Sequence, residues 1–251
     1  MIDIYQYSHR PKPHWSLEAL MTLRALPFVG NKFTCPCCGW RLRAFTYGGA
    51  SLKIRDLGYC PRCNSKARHR RIWLFLKQKT NLFVDRLHVF HVSPNYCLSR
   101  RLINLPNLDY VAGDHGNHPN IRIKMNLNNS PVHSESFDVI LCNHVLEHII
   151  EDHKAIAELF RILKPGGWAV ISVPINFDKN TYEDRTLITP EERSRAFGEP
   201  NHVRIYGYDF SNRLERSGFH VSLDLGKDLD QHTREIYGLR DNENIFYCTK
   251  D

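Results

Sequence analysis

The chain has 251 residues, 42% of them hydrophobic, which suits one α/β domain with a sizeable core and a small appendage. No apolar run approaches the ~18 residues of a membrane helix. The opening M-I-D-I-Y-Q-Y-S-H-R-P-K-P has charges and prolines where a signal peptide is apolar, so a soluble cytoplasmic chain is expected. The net charge of +7 is uneven: residues 1–80 hold 15 Lys and Arg against 3 Asp and Glu, the remainder 19 against 24. Such a basic front can bind nucleic acid or another polyanion, or be a solvated surface balancing an acidic partner domain.

Ser16 opens an expected helix with Leu17, Leu20, Met21 and Leu26 on or near one face, packed on neighbouring elements and ended by Pro27. Two knuckles follow, C-P-C-C-G-W at residues 35–40 and C-P-R-C-N-S at residues 60–65. Cys35 and Cys38 form one pair, Cys60 and Cys63 the other, with Cys37 spare. Gly39 and Asn64, after the second cysteine of each pair, tolerate left-handed backbone angles. That turn lets both sulfurs reach one metal. Four thiolates at this spacing predict a structural Zn²⁺ in a zinc ribbon. The segment between the knuckles, 45–47, Gly48-Gly49 and 51–54, can form a short hairpin. Ser65 is then expected to cap the helix K-A-R-H-R-R-I-W-L-F-L-K, anchored by Ile72, Trp73, Phe75 and Leu76. Arg68, Arg70 and Arg71 precede those anchors and either solvate the helix or hold an anionic group.

The rest alternates strands and helices. Strands are expected at 87–92, 108–112, 121–125, 137–142 and 168–173, the last two short apolar runs suited to a sheet buried on both faces. Between them, residues 155–163 repeat Ile156, Leu159, Phe160 and Leu163 at helical spacing, with Lys164 in the last turn and Pro165-Gly166-Gly167 as the stop. Strand, helix, strand is a βαβ crossover in a parallel sheet. Ligands of such sheets bind outside the carboxyl ends of the strands, which places residues 142–148 and 173–176 at a site rim. A long excursion over residues 175–209 would build a substrate pocket. It contains Tyr182, Glu183 and Asp184, a helix start at Thr189-Pro190-Glu191-Glu192, and the alternating His202, Arg204 and Tyr206. On a strand those three share one face, directed to the pocket or to solvent, with Val203 and Ile205 packed in the core. Asp209 is expected to cap a helix ending at Gly218, and 219–225 with 244–249 to close the sheet as an antiparallel pair.

F-D-V-I-L-C-N-H-V-L-E-H-I followed by E-L-F-R-I-L-K-P-G-G-W-A-V-I-S-V-P resembles the core of class I S-adenosylmethionine-dependent methyltransferases. The likeness covers roughly residues 87–249. It implies a Rossmann-like, mostly parallel α/β sheet over residues 81–251, with the zinc module, N-terminal helix and connecting helix in residues 1–80. It also implies S-adenosylmethionine as cofactor. Asp114 matches the acidic residue that accepts the ribose hydroxyls, the alternative being a turn aspartate. Asn126 and Leu127 fall at the adenine, with asparagine where the family often has aspartate. The first loop, Ser93-Pro94-Asn95-Tyr96, lacks the family's glycines; Ser93, Asn95 and the amides of the next helix would meet the methionyl part. His115 and Asn143 complete the implied cofactor set.

Methyl transfer needs alignment more than functional groups, and an oxygen or nitrogen acceptor also needs a base. His144, Glu147 and His148, then His202, Arg204 and Tyr206, are the residues expected at the acceptor. Some quinone-biosynthesis O-methyltransferases of the wider family carry metal-binding residues at the spacing of His144, Glu147 and His148. A divalent ion is therefore one use of these residues; capping and cross-linking of the loop is the other. The leading expectation is O- or N-methylation of a small molecule or glycan. An RNA methyltransferase using the basic module and a non-catalytic binding protein are the alternatives.

Overall fold

The computed structural model describes residues 15–47, 58–116 and 121–251. The leader reading and most of the expected hairpin between the knuckles lie outside them. In chain order come α1 (Trp15–Ala25), β1 (Val29–Thr34), β2 (Arg41–Leu42), α2 (Ala67–Lys79), β3 (Leu87–Val92), α3 (Tyr96–Leu102), β4 (Leu108–Asp114) and β5 (Ile123–Lys124). Then follow β6 (Phe137–Asn143), α4 (Asp152–Ile162), β7 (Leu163–Ser172), β8 (Ile175–Asn176), β9 (Tyr182–Glu183), α5 (Pro190–Phe197) and β10 (Arg204–Gly207). The chain ends with α6 (Phe210–Glu215), β11 (His220–Asp224), α7 (Gln231–Tyr237) and β12 (Ile245–Thr249).

Seven strands form one sheet in the order β11-β12-β7-β6-β3-β4-β5. The run β7-β6-β3-β4-β5 is parallel, and β12 and β11 add antiparallel at one edge. Alternate residues feed two cores. On one face Phe90, Val111, Ile140 and Ile171 meet Ile156 and Leu159 of α4 and Phe210 and Leu214 of α6. On the other, Val89, Tyr110, Leu141 and Val170 share a core with Ile72, Phe75 and Leu76 of α2, Leu98 of α3, and Cys35, Cys60 and Cys63. The period of two along each strand sends its residues to opposite faces, so both must be covered. None of the described helices is long and apolar enough to cross a membrane.

Several local expectations are corrected. Lys164 leaves the helix: β7 begins at Leu163, and its register shifts between Phe137 and Val139 of β6. Lys164 then reaches Asp138 at 2.8 Å across that pair. The buried face of α1 is Met21 and Ala25, while Leu20 is 64% exposed and Leu17, Leu23 and Leu26 face solvent. Ser65 does not cap α2; Lys66 is the N-cap, and the Ser65 hydroxyl turns to two cysteine sulfurs. Arg70 and Arg71 are neither solvated nor free for a ligand. Arg70 is fully buried and donates to the carbonyls of Gly58, Ser65, Tyr237 and Gly238 while lying 4.0 Å over the Phe45 ring. Arg71 is buried and pairs with Asp224.

His91 on β3 is fully buried, its Nδ1 2.9 Å from the Tyr110 hydroxyl, and burial pushes its imidazole down to about 3. The folded chain therefore stays unprotonated there while the unfolded chain takes a proton below about 6.5. Stability should fall as pH drops from 6.5 toward 3, by about 1.4 kcal/mol per pH unit for this group. Urea unfolding between pH 7 and 5 should show that slope, and His91→Gln should reduce it by one proton.

Candidate active site and four-cysteine centre

The carboxyl ends of β3, β4, β6 and β7 meet along one edge, and two of the turns leaving it are left-handed at residues other than glycine. Ser93 after β3 has φ +44° and His144 after β6 has φ +56°. Such angles cost of order 1–3 kcal/mol and are held only where the surroundings impose them. The Ser93 amide donates to the Gly113 carbonyl, and the His144 amide to the Ser172 carbonyl. Ser93 is exposed. Asn95 is the N-cap of α3: its side-chain oxygen accepts from the Leu98 amide and the Cys97 thiol, leaving its amide nitrogen as the group able to meet a ligand.

Asp114 ends β4. One carboxylate oxygen accepts from the Gly116 amide, and the other has no hydrogen bond among the described residues. His115 beside it is exposed. The strand expected at 121–125 shrinks to Ile123–Lys124; Asn126 is exposed, its side chain accepting from the Asn128 amide, and Leu127 is buried. Asn143 takes a hydrogen bond from Ser172 Oγ at 3.0 Å, while its buried Nδ2 has no partner. A free carboxylate oxygen on β4 and an unpaired amide donor on β6 are groups that suit the hydroxyls and the carboxylate of a nucleoside–amino acid cofactor.

A cleft of about 510 Å³ adjoins this edge. Its inner wall is His144, Glu147, His148 and Ser172; its outer wall is His202, Glu199, Arg240 and Glu243, with Lys66 and Arg68 from the front of α2. Glu147 is 1% exposed, one oxygen 3.1 Å from His144 Nδ1 and the other without a partner. A carboxylate only accepts, so this contact places a proton on His144 Nδ1, and in the neutral ring Nε2 keeps its lone pair. His148 Nδ1 lies 3.1 Å from the Asn201 carbonyl, and the His148 and His202 rings are 4.8 Å apart, edge to face. Burial lowers the His202 imidazole, favouring its neutral form. Ligand atoms of Glu147, His148 and His202 lie within 4.8 Å of one another. The group that converges on Glu147 thus takes His202 from the excursion, while His144 hydrogen-bonds the same carboxylate. The wall residues Lys66, Arg240 and Glu243 gave no signal in sequence, being scattered charges joined only by folding, whereas Arg68 belongs to the arginine group noted on the helix and lies at the cleft.

Arg204 and Tyr206 do not point into this cleft or into solvent. They are 2% and 0% exposed, whereas Val203 and Ile205 are only half-buried, so the strand faces the opposite way to the expectation. The Arg204 guanidinium donates to the carbonyls of Leu146, Ile149 and Ile150 and to Glu183. Tyr206 donates to Asp152 at 2.8 Å, and Arg213 reaches the same carboxylate at 3.0 Å. A buried charge persists when paired and hydrogen-bonded; Arg204 holds the loop 146–150 against β10, and Tyr206 holds the start of α4. Glu183 and Asp184 line a separate cavity of about 80 Å³ beside Arg204. Replacing Arg204 by Met should destabilise the fold by about 3–5 kcal/mol, the effect of breaking a buried pair. Thermal unfolding measures this.

The four cysteines converge. Cys35 and Cys63 sulfurs are 3.6 Å apart, Cys38 and Cys60 sulfurs 3.7 Å, and all four lie within 4.8 Å of one another. Gly39 and Asn64 have φ +74° and +61°, and their amides close each knuckle onto the Cys35 and Cys60 carbonyls. Cys37 turns away to the His69 carbonyl. A tetrahedron with Zn–S of about 2.3 Å has sulfur edges of about 3.8 Å, so the donor set fits Zn²⁺.

Residues 102–171 match a family model described as a methyltransferase domain. A probable S-adenosylmethionine-dependent methyltransferase of Mycolicibacterium smegmatis is 30% identical over 135 residues, covering 51% of this chain and 47% of that protein. The chain thus spans about half the length of the curated relative it matches. A solved S-adenosylmethionine-dependent methyltransferase from Archaeoglobus fulgidus superposes with a TM-score of 0.50 at 11% identity, over 74% of this chain and 95% of that one. One from Mesorhizobium loti gives 0.46 at 15% identity, over 70% and 95%. The fold is the Rossmann-like class I methyltransferase fold, and residues 102–171 carry the match to a methyltransferase domain.

Proposed function

We propose that the protein transfers a methyl group from S-adenosylmethionine to an oxygen or nitrogen of a small polar molecule or glycan, and that Cys35, Cys38, Cys60 and Cys63 hold a structural zinc ion. The observation carrying the acceptor reading is the His144–Glu147 pair, set by a left-handed turn at the carboxyl edge and lining a polar cleft of about 510 Å³. When bound, the cofactor supplies an electrophilic methyl group. Asp114 would hold its ribose and Asn143 and Ser93 its methionyl end, with Asn126 and Leu127 at the adenine. His144 Nε2 takes the acceptor's proton, and buried Glu147 orients the ring and stabilises the imidazolium. His148 and His202 form the wall against which the acceptor is aligned.

A small acceptor is favoured over RNA because four arginines of the basic front are engaged within the molecule. Arg62 pairs with Glu18, Arg24 donates to the Pro61 carbonyl, and Arg70 and Arg71 are buried. A nucleic-acid acceptor would show strongly salt-dependent RNA binding. All eight cysteines are unpaired, which accords with the reducing cytoplasm.

Calorimetry with S-adenosylhomocysteine tests the donor reading. Binding is expected, and Asp114→Ala should weaken it by about 1.5–3 kcal/mol; no binding by the wild type would refute the reading and leave a non-catalytic protein. With an acceptor in hand, His144→Ala should lower kcat by about 10²–10⁴ while cofactor affinity stays near wild type. Elemental analysis should find one zinc per chain, and Cys60→Ser should lose it with local unfolding of the module.

A further inference from the structure

The four-cysteine module reaches the loop that the proposed function assigns to the cofactor through a short series of buried contacts. Ser65, directly after the second knuckle, places its hydroxyl 3.2 Å from the Cys35 sulfur and 3.3 Å from that of Cys63. The next residue is the N-cap of α2, and its amide donates to His69 Nδ1 at 3.2 Å. The Cys37 thiol reaches the carbonyl of the same histidine. His69 is 7% exposed, and its Nδ1 lies 3.0 Å from the sulfur of Cys97, itself 3% exposed. That sulfur is also 3.0 Å from Asn95 Oδ1, the atom that caps α3. Two residues earlier stands Ser93, in the left-handed conformation where the loop has no glycine to adopt it.

We propose that His69 and Cys97 are positioning residues through which the metal-holding module fixes the 93–96 loop for cofactor binding. A left-handed serine is held only if its neighbours impose that angle. On one side the sheet does so through the Gly113 carbonyl. On the other the loop runs into Asn95, whose orientation depends on Cys97. The thiol's single proton is shared between Oδ1 of Asn95 and Nδ1 of His69, which also accepts the Lys66 amide, so the sulfur bridges α2 to the loop. Neither His69 nor Cys97 is among the residues assigned to touch the cofactor or the acceptor. The module's work is therefore support of the donor site, through the same first turn of α2 whose Lys66 and Arg68 line the cleft.

This inference rests on the donor reading, and its test separates the two. Calorimetry with S-adenosylhomocysteine is run on the full chain and on Cys97→Val, which keeps the packing, Cys97→Ser, which keeps a hydroxyl donor, and His69→Leu. Cys97→Val and His69→Leu should bind about tenfold more weakly, the scale of one buried hydrogen bond, with one zinc retained by elemental analysis. Cys97→Ser should stay within about twofold of wild type, a rescue that lost packing alone would not give. Cys97→Val binding as tightly as wild type would overturn the proposal. Hydrogen exchange on the wild type with and without its zinc serves if a variant fails to fold. Amides 95–98 should exchange faster once zinc is chelated while those of β11 and β12 hold; no change, or a rise spread evenly over the chain, also overturns it. Absence of S-adenosylhomocysteine binding by the wild type would sink the donor reading, and the exchange comparison would still decide whether the module braces the loop.

Discussion

A parallel sheet must be covered on both faces, and this requirement organises the molecule. The βαβ connections place α4 on one face, joined there by α6. The other face falls to α2, α3 and the cysteine knuckles, which share one continuous core with Val89, Leu141 and Val170. The module cannot be lifted off without exposing that face. Arg70 adds a polar fastening, tying the second knuckle to the Tyr237 and Gly238 carbonyls at the far end of the sequence.

The cleft depends on a second buried arrangement. Asp152, at the start of α4, receives Tyr206 and Arg213, while Arg204 binds Glu183 and the carbonyls of the loop before α4. Each charge of the group is paired and hydrogen-bonded, so the group persists as a unit. It fixes the excursion over residues 175–209 against the loop carrying Glu147, and the Val203 amide bonds the Glu147 carbonyl directly. His202 is thereby brought beside His148. Within one short segment His202 lines the cleft, while Arg204 and Tyr206 are buried and anchor it.

Among the described residues, two of the four left-handed positions other than glycine lie at the same edge. Ser93 and His144 are both held left-handed, one after β3 and one after β6, and the backbone amide of each donates to a neighbouring strand. At His144 the turn aims the ring so that Nδ1 meets Glu147, which selects the tautomer with a free Nε2. At Ser93 it does with serine what the fold usually does with glycine, at an energetic cost that the surroundings must offset.

The sequence by itself determined the elements whose signals are local. The strand over Leu87–Val92, the β6–α4–β7 crossover, the capping box at Thr189 and Glu192 and the two knuckle turns all follow from periodicity, capping chemistry or a residue tolerant of positive φ. The pairing of cysteines is local too, since each pair lies within one tight turn. Tertiary structure decided whatever depends on which face a segment shows. Alternation put Arg204 and Tyr206 on one side of β10, but period two cannot say which side is inward, and the buried carboxylate of Asp152 made it theirs. Ser65 had the chemistry of a helix cap and was drawn instead to two thiols, that of Cys35 30 residues back along the chain and that of Cys63 two residues back, which no local rule ranks. Arg68, Arg70 and Arg71 look alike in sequence; helical geometry and long-range partners buried two of them and left one at the cleft.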